Sequence, residues 1–356
     1  MPDWTKSMEQ YFEYYIVDPV SFQDKEKIDF VRSASLTGEL SSDTKGYAQF
    51  DIDQNIGEAY VRVYLVTIQN GIKESTPLGT YLVQTPSTSF DGKVNTNTID
   101  GYTPLIELKE KLPPIGYTCL RQVNIMYRAW NLVKDNVRAP VIKPAYSGDD
   151  AVYTQSFFAA NTSDTWLSFV SDFIAVADYD FRVDPLGKIL FAKNVDASSM
   201  QPVWTYSDDE NSIICPELTY NHDIFGIPNV VEVIYTSNSG TMKARVTNNQ
   251  KNSPLSIVNR GREIVYRDTQ PNIIGVPTQA YLNDYAKSLL RSLSSVEYEL
   301  NYTHGYCPVK VGDCVRIDYA AAGLTGINAK VTKQTIKCET GCLVDETAVF
   351  TVPLWG

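Results

Sequence analysis

Between Asn229 and Val315 the chain reads as strand, switches once to helix and returns to strand, an order that few architectures accommodate. Asn229–Tyr235 and Thr241–Val246 are β-branched and alternating, and Ser-Asn-Ser-Gly between them is a turn-rich spacer, so the pair predicts a hairpin. Residues 278–293 follow with Tyr281, Leu282, Tyr285, Ala286, Leu289, Leu290 and Leu293 at helical spacing. Ser295–Tyr302 and Lys310–Tyr319 alternate again. A long loop carrying Arg260, Arg262 and Arg267 separates hairpin from helix. No motif in this stretch does chemistry. Its order describes a β-barrel with a flanking helix, an assembly module more often than a catalyst.

The rest of the chain divides by pattern into three portions. Residues 1–100 carry strand signals at 12–17, 27–40, 47–53, 59–69 and 79–84, separated by Asp, Gly, Ser and Pro. In the 59–69 run, Val61, Val63 and Leu65 share one face, while Tyr60, Arg62, Tyr64 and Val66 share the other. Asn70-Gly71 is the dipeptide of a type I′ turn. These residues predict a small barrel or sandwich. Residues 101–200 predict an α+β portion: a short helix from Thr103-Pro104 to Lys111, a second over 120–134, and a third over 163–177 capped by Thr162 or Ser163. A hairpin at 179–183 and 188–192 turns through Asp184-Pro185-Leu186-Gly187. Residues 201–356 return to strand around the 278–293 helix and hold five of the six cysteines. The expected fold class is mainly β with an α+β middle, built on two β-barrels, each with a flanking helix.

Composition narrows the function classes. Hydrophobic residues make up 43% of the 356 and charged residues 21%, which is globular and long enough for two or three domains. The net charge of −11 argues against free binding to nucleic acid, which needs cations to displace counterions. It suits a surface that DNA slides past without sticking. Met1-Pro2-Asp3-Trp4 lacks the basic start and apolar run of a signal peptide, and no segment reaches the ~18 apolar residues of a membrane span. The expectation is synthesis in a cytoplasm, with thiols that start reduced.

Cys307, Cys314, Cys338 and Cys342 have ligand-like spacing, two close pairs separated by 23 residues, with Gly341 inside the second pair. Four thiolates so arranged suit zinc or an iron–sulfur cluster. Independent reduced thiols, or a Cys338–Cys342 disulfide, are the competing readings; Cys119 and Cys215 read as core residues. Only two histidines exist, His222 in a predicted loop and His304 in a predicted turn, and structural roles suit both. The carboxylate runs Asp149-Asp150 and Asp208-Asp209-Glu210 are the densest, so a cell-wall hydrolase using a carboxylate pair is one alternative and a metal-centred binding module another. Both runs lie in Ser/Gly/Asn-rich stretches that read as solvated loops. For the three arginines, an anion site is conceivable, and interface hydrogen bonding the better reading.

Two segments carry a family resemblance. The run V-V-E-V-I-Y, A-R-V-T-N-N, S-P-L-S-I-V-N-R-G-R-E-I-V-Y-R-D-T-Q-P, the helix with A-K-S-L-L-R, and P-V-K-V-G-D-C-V-R-I-D-Y together resemble the tail hub proteins of long-tailed bacteriophages. D-T-W-L-S-F-V-S-D-F and D-Y-D-F-R-V-D-P-L-G-K-I-L-F are similar to the α+β portion of those hubs. The resemblance spans about residues 25–356. It implies a non-enzymatic baseplate or tail-tip hub of the virion, synthesised in the host bacterial cytoplasm. Such a hub is a homotrimer whose six pseudo-equivalent, tail-tube-like barrels surround a lumen through which DNA passes as cargo. It also implies contacts with tail tube protein, distal tail protein, tape-measure protein and tip or fibre proteins. Some such hubs carry a C-terminal hydrolase; this sequence reaches Gly356 directly after its last strand pattern, so lytic activity is not expected.

Overall fold

The computed structural model describes residues 2–355 apart from 55, 91–94, 121–122, 146–156, 238–239, 272 and 274–275. The N-terminal third supplies β1 (Glu9–Val17), β2 (Asp24–Ile28), β3 (Val31–Glu39), β4 (Gly46–Ile52), β5 (Ala59–Gln69), β6 (Ile72–Phe90) and β7 (Asn95–Tyr102). The middle supplies α1 (Ile106–Lys109), β8 (Thr118–Leu120), α2 (Ile125–Lys134), β9 (Phe157–Ala159), α3 (Trp166–Ala175), β10 (Tyr179–Val183) and β11 (Ile189–Lys193). The remainder supplies β12 (Trp204–Ser207), β13 (Ile214–His222), β14 (Val230–Ser237), β15 (Gly240–Thr247), α4 (Ile257–Arg260), β16 (Val265–Asp268), α5 (Gln279–Leu293), β17 (Ser295–Gly305), β18 (Cys314–Tyr319), β19 (Leu324–Cys338) and β20 (Leu343–Pro353). The chain is mainly β with an α+β middle portion, as its residue patterns imply.

Thirteen strands pair into one sheet in the order β13-β17-β20-β19-β3-β4-β7-β6-β5-β1-β2, with β18 on β19 and β12 on β18. This path does not close into a ring among the described residues. Its central joint is β19 against β3, antiparallel from Lys333↔Glu39 to Cys338↔Ala34. Strands from the two ends of the chain are therefore consecutive in one sheet, which strand patterns alone do not reveal. The single run predicted over 27–40 is two strands, β2 and β3, because the chain turns at Asp29-Phe30. At Asn70-Gly71 both φ angles are positive, 51° and 77°, as a type I′ turn requires.

The chain divides into two compact units, one of Met1–Leu218 with Asn301–Ala348 and one of Thr219–Leu300 with Val349–Gly356. In the first, the helical portion has no core of its own. Leu105 and Leu108 of the α1 region, Met126, Ala129 and Val133 of α2, and Phe169, Phe173 and Ile174 of α3 pack with Val17, Tyr60 and Leu82 of β1, β5 and β6. Both faces of β5 are consequently buried at Tyr60–Val63. The predicted helix caps shift. Thr165, two or three residues beyond the expected Ser163 or Thr162, caps α3 in a capping box with Ser168, and Thr103 donates to the Thr44 carbonyl instead of capping α1. The helix predicted over 120–134 starts at Ile125, capped by Asn124, because Thr118–Leu120 pairs with β9.

Phe173 is completely buried, stacked on Phe169 at 6.2 Å and tilted against Phe158 at 5.2 Å. Phe173→Ala removes a large aromatic from a filled core and will cost about 3–5 kcal/mol. Denaturant unfolding of the variant against wild type measures it, and a loss below about 1 kcal/mol would mean that this core collapses freely around the gap.

In the second unit β15-β14-β16 forms its own three-stranded sheet, with β14 antiparallel to β15 and parallel to β16. Thr278 caps α5, whose Leu282, Ala286 and Leu290 bury against Val231, Val233 and Ala244. The stripe is narrower than its sequence suggests, since Tyr281 is half exposed. The hairpin and helix expected to complete a C-terminal barrel build this separate sheet-and-helix layer instead. The reason is in the hairpin, where Val231 and Val233 offer one apolar face that a single amphipathic helix covers.

Candidate functional site

Alternation along β17 and β20 puts polar side chains where apolar ones are expected. On β17 the inward positions are Val296, Leu300, Tyr302 and His304; on β20 they are Val344, Glu346, Ala348 and Phe350. Glu346 thus enters the interior of the first unit with His304, and Tyr206 of β12 and Gln334 of β19 join them. Tyr302 Oη donates to Glu346 Oε1 at 2.5 Å, Gln334 Nε2 donates to Oε2 at 2.8 Å, and His304 Nε2 lies 3.4 Å from Oε2. Tyr206 Oη is 3.0 Å from His304 Nε2, 3.3 Å from Cys307 Sγ and 3.4 Å from Glu346 Oε1. His304 Nδ1 reaches the Gly305 carbonyl at 2.7 Å.

Burial alone pushes the His304 pKa down, but hydrogen bonds to Cys307 and Glu346 and the Glu346 charge outweigh it, raising the value to about 10. The ring is therefore an imidazolium at neutral pH, with one N–H for the Gly305 carbonyl and one for the carboxylate side. Burial, then the Glu346 charge, holds the Tyr206 and Tyr302 phenols far above their ordinary range.

Cys, His and Glu together have the residue types of a nucleophilic site, but the geometry opposes that use. Cys307 Sγ is 4.0 Å from His304 Nδ1, and that nitrogen already serves Gly305. The side chains of His304 and Glu346 have no exposed surface, and Cys307 is equally closed. A substrate has no route to a general base that is sealed and already charged. The cluster is a fully hydrogen-bonded polar core linking β12, β17, β19 and β20. The turn expected at His304 is the end of β17. The readable signal was a carboxylate and a histidine each falling on the apolar face of an alternating strand.

The four late cysteines are all buried and free. Cys338 and Cys342 are neighbours across the turn that joins β19 to β20, where Cys342 N donates to Glu339 O at 3.0 Å and Gly341 has φ 93°. Cys307 faces Tyr206, and Cys314 points to the carbonyls of Ala197 and Val315, 3.8 Å from each. No group of three or more His, Cys, Asp or Glu among the described residues is arranged to hold a metal ion. Burial pushes the thiols of Cys314 and Cys338 up and that of Cys342 up to about 12. The four thiols, close in spacing along the chain, are divided between a hairpin turn and two other packing environments. Cys119 is a core residue and Cys215 is half-buried.

Asp149-Asp150 lies outside the described residues. In the other run, Asp208 accepts from Ala321 N at 3.0 Å and Asp209 from Asn211 N at 2.8 Å, so these two carboxylates brace exposed backbone. A cleft in the first unit is bordered by Lys45 and Arg182, but Asp180 pairs with both, at 3.0 and 3.5 Å. His222 is exposed and stacked on Tyr298 at 4.5 Å. Of the three loop arginines, Arg267 pairs with Glu232 at 2.7 Å, and Arg260 donates to the carbonyls of Ile227 and Ile224 at 2.8 and 2.5 Å.

With no catalytic centre assembled among the described residues, the architecture carries the comparison with known proteins. No protein-family model and no curated protein sequence matches the chain. Solved structures do. A tail protein from Neisseria meningitidis MC58 aligns over 97% of this chain and 98% of its own, with TM-score 0.64 and 11% identity. The 43 kDa tail protein of prophage MuSo2 from Shewanella oneidensis aligns over 96% and 98%, with TM-score 0.60 and 12% identity. The chain has the fold of phage and prophage tail proteins. A Francisella PdpA–VgrG complex has the same fold at TM-score 0.53 and 11% identity; 98% of this chain covers 53% of that one. No helix among the described residues is long and apolar enough to cross a membrane.

Proposed function

We propose that this chain is a structural hub at the baseplate or tip of a bacteriophage tail, acting in the assembled virion and not as an enzyme. Three copies form a ring in which the two strand-rich ends of each copy supply six pseudo-equivalent segments around a lumen. The ring joins tail tube, distal tail and tape-measure proteins to the tip or fibre proteins and lets DNA pass. The observation that carries this reading is the near-complete two-way alignment with the Neisseria tail protein, TM-score 0.64 over 97% and 98% of the two chains. Two features support it. The β3–β19 joint makes the terminal thirds of the chain one continuous scaffold. The first unit holds 23 Lys and Arg against 35 Asp and Glu, a net charge of −12 that repels a passing phosphate backbone.

Sedimentation equilibrium of the full chain, with negative-stain imaging of the assembled species, tests the ring. The expected result is a concentration-dependent trimer with three-fold class averages and a central hole. A single monomeric species at every concentration and salt, alone and with the tube protein, would overturn the proposal.

A further inference from the structure

The second unit differs in character from the first. It holds eight Lys and Arg against seven Asp and Glu, a net +1 within a chain of −11. It also displays Phe225 to solvent at 82% relative exposure, an unusual state for so large an apolar side chain. The segment that carries it is firmly held. Phe225 N donates to Asp223 Oδ1 at 2.7 Å, and Gly226 takes the left-handed φ of 77° that the tight turn needs. Arg260 then clamps both sides of the turn through the Ile224 and Ile227 carbonyls. Arg260 is itself fixed at the end of α4, which Ser256 caps and Gly261 terminates with φ 63°. A Phe on a braced turn sits on backbone that has already lost the conformational freedom its ordering would cost on binding, which is a property of an interface anchor.

The charge beside it is uncompensated. Arg245 and Arg267 of the same unit have carboxylate partners, Glu263 and Glu232. Among the described residues neither Arg260 nor Arg262 is within ion-pair distance of one. Burial, and then the adjacent Arg262 charge, lowers the Arg260 pKa, so two like charges share the site without a counter-charge. Val258, on α4 with Arg260, is also exposed.

We propose that Phe225, flanked by Arg260 and Arg262, is the anchor by which one copy of this chain docks on the acidic first unit of a second copy. The inference rests on the ring reading above and gives that ring its contact. Charge complementarity selects the occupant. Identical chains of net charge −11 repel at long range, and a cationic patch on one that meets carboxylates on the next offsets that repulsion; the first unit at −12 supplies those carboxylates. A contact between unlike surfaces of identical chains closes into a three-membered ring when it rotates each copy by about 120°, as a trimer requires.

Sedimentation equilibrium of the wild-type full chain, Phe225→Ser and Arg262→Glu tests the proposal at low and high salt. Phe225 is exposed and Arg262 lies on the surface, so unchanged thermal unfolding is expected and serves as the fold control. The expected result is that Phe225→Ser weakens self-association on the order of thirtyfold, the scale of a truncated hot-spot aromatic. Arg262→Glu weakens it at least tenfold by the same criterion, and salt weakens the wild type more than it weakens Arg262→Glu. If both variants trimerise like wild type, the anchor proposal is overturned while the ring reading stands, and the braced loop serves a different tail protein. If wild type is a monomer throughout, ring and anchor fail together.

Discussion

Glu346→Ala will destabilise the first unit by about 3–5 kcal/mol, because it strands a buried imidazolium and three other donors that have no water to turn to. Glu346 accepts from Tyr302 and Gln334 and faces His304 and Tyr206, all within 3.4 Å. Equilibrium unfolding in denaturant measures the loss, and a cost below about 1 kcal/mol would show that the pair contributes no more than a surface one. The double variant with His304→Ala will lose less than the sum of the singles, since removing both partners also removes the uncompensated charge.

The same cluster makes stability depend on alkaline pH. His304 titrates at about 10 when folded against about 6.5 in the unfolded chain, so its contribution is complete below about pH 6.5 and lost as pH rises through about 10. Wild type will therefore weaken across that window. His304→Asn, which cannot titrate, will show a flatter profile over the same range. Parallel profiles for the two proteins would remove the imidazolium assignment.

Arg62→Met will cost about 3 kcal/mol. Arg62 is 4% exposed and makes four hydrogen bonds: to Thr80 Oγ1 at 2.9 Å, Asp24 Oδ1 at 2.7 Å, the Phe22 carbonyl at 3.2 Å and the Leu186 carbonyl at 3.0 Å. One guanidinium thus ties β5 to β6, to the start of β2 and the segment before it, and to the turn between β10 and β11. Methionine fills the space but leaves two carbonyls and a carboxylate without their donor. Thermal unfolding, with hydrogen exchange at residues 184–188, checks it. Faster exchange confined to that turn is expected, and unchanged exchange there would mean that the turn is held by other contacts.

Local structure was legible where a side-chain pattern has a single local solution. β5 spans the 59–69 expected from its residues, the Asn70-Gly71 turn has its two positive φ angles, and α5 begins one residue after its Thr278 cap. Caps with several candidates were not legible. Thr162, Ser163 and Thr165 all have the right chemistry, and only the packing of Trp166 and Phe169 selects Thr165. The arginine loop was legible only in part: Arg267 pairs with Glu232 on the surface, and spacing along the chain does not mark Phe225, whose turn Arg260 braces from 35 residues away.

The polar core was half written in the chain. His304 and Glu346 each fall on an inward register position, which a reading attentive to alternation detects. That they meet, and that Tyr206 arrives from 98 residues away, depends on how β12, β17 and β20 are ordered in the sheet. Cysteine spacing misled for the same reason. Separation along the chain brought Cys338 and Cys342 together but says nothing about Cys314, which faces Ala197.

The sequence by itself determined element type, the turn chemistry, the acidic charge and the mainly β class, because those follow from interactions between residues close in the chain. Only the tertiary structure decided that β19 pairs with β3 across some 300 residues, that the hairpin at Val230–Thr247 leaves the long sheet for one of its own, and which strands seal His304 from water. Strand edges offer the same backbone donors and acceptors to any partner. The choice among them is made by which arrangement buries the most apolar surface while leaving no polar group unpaired, a property of the whole chain at once.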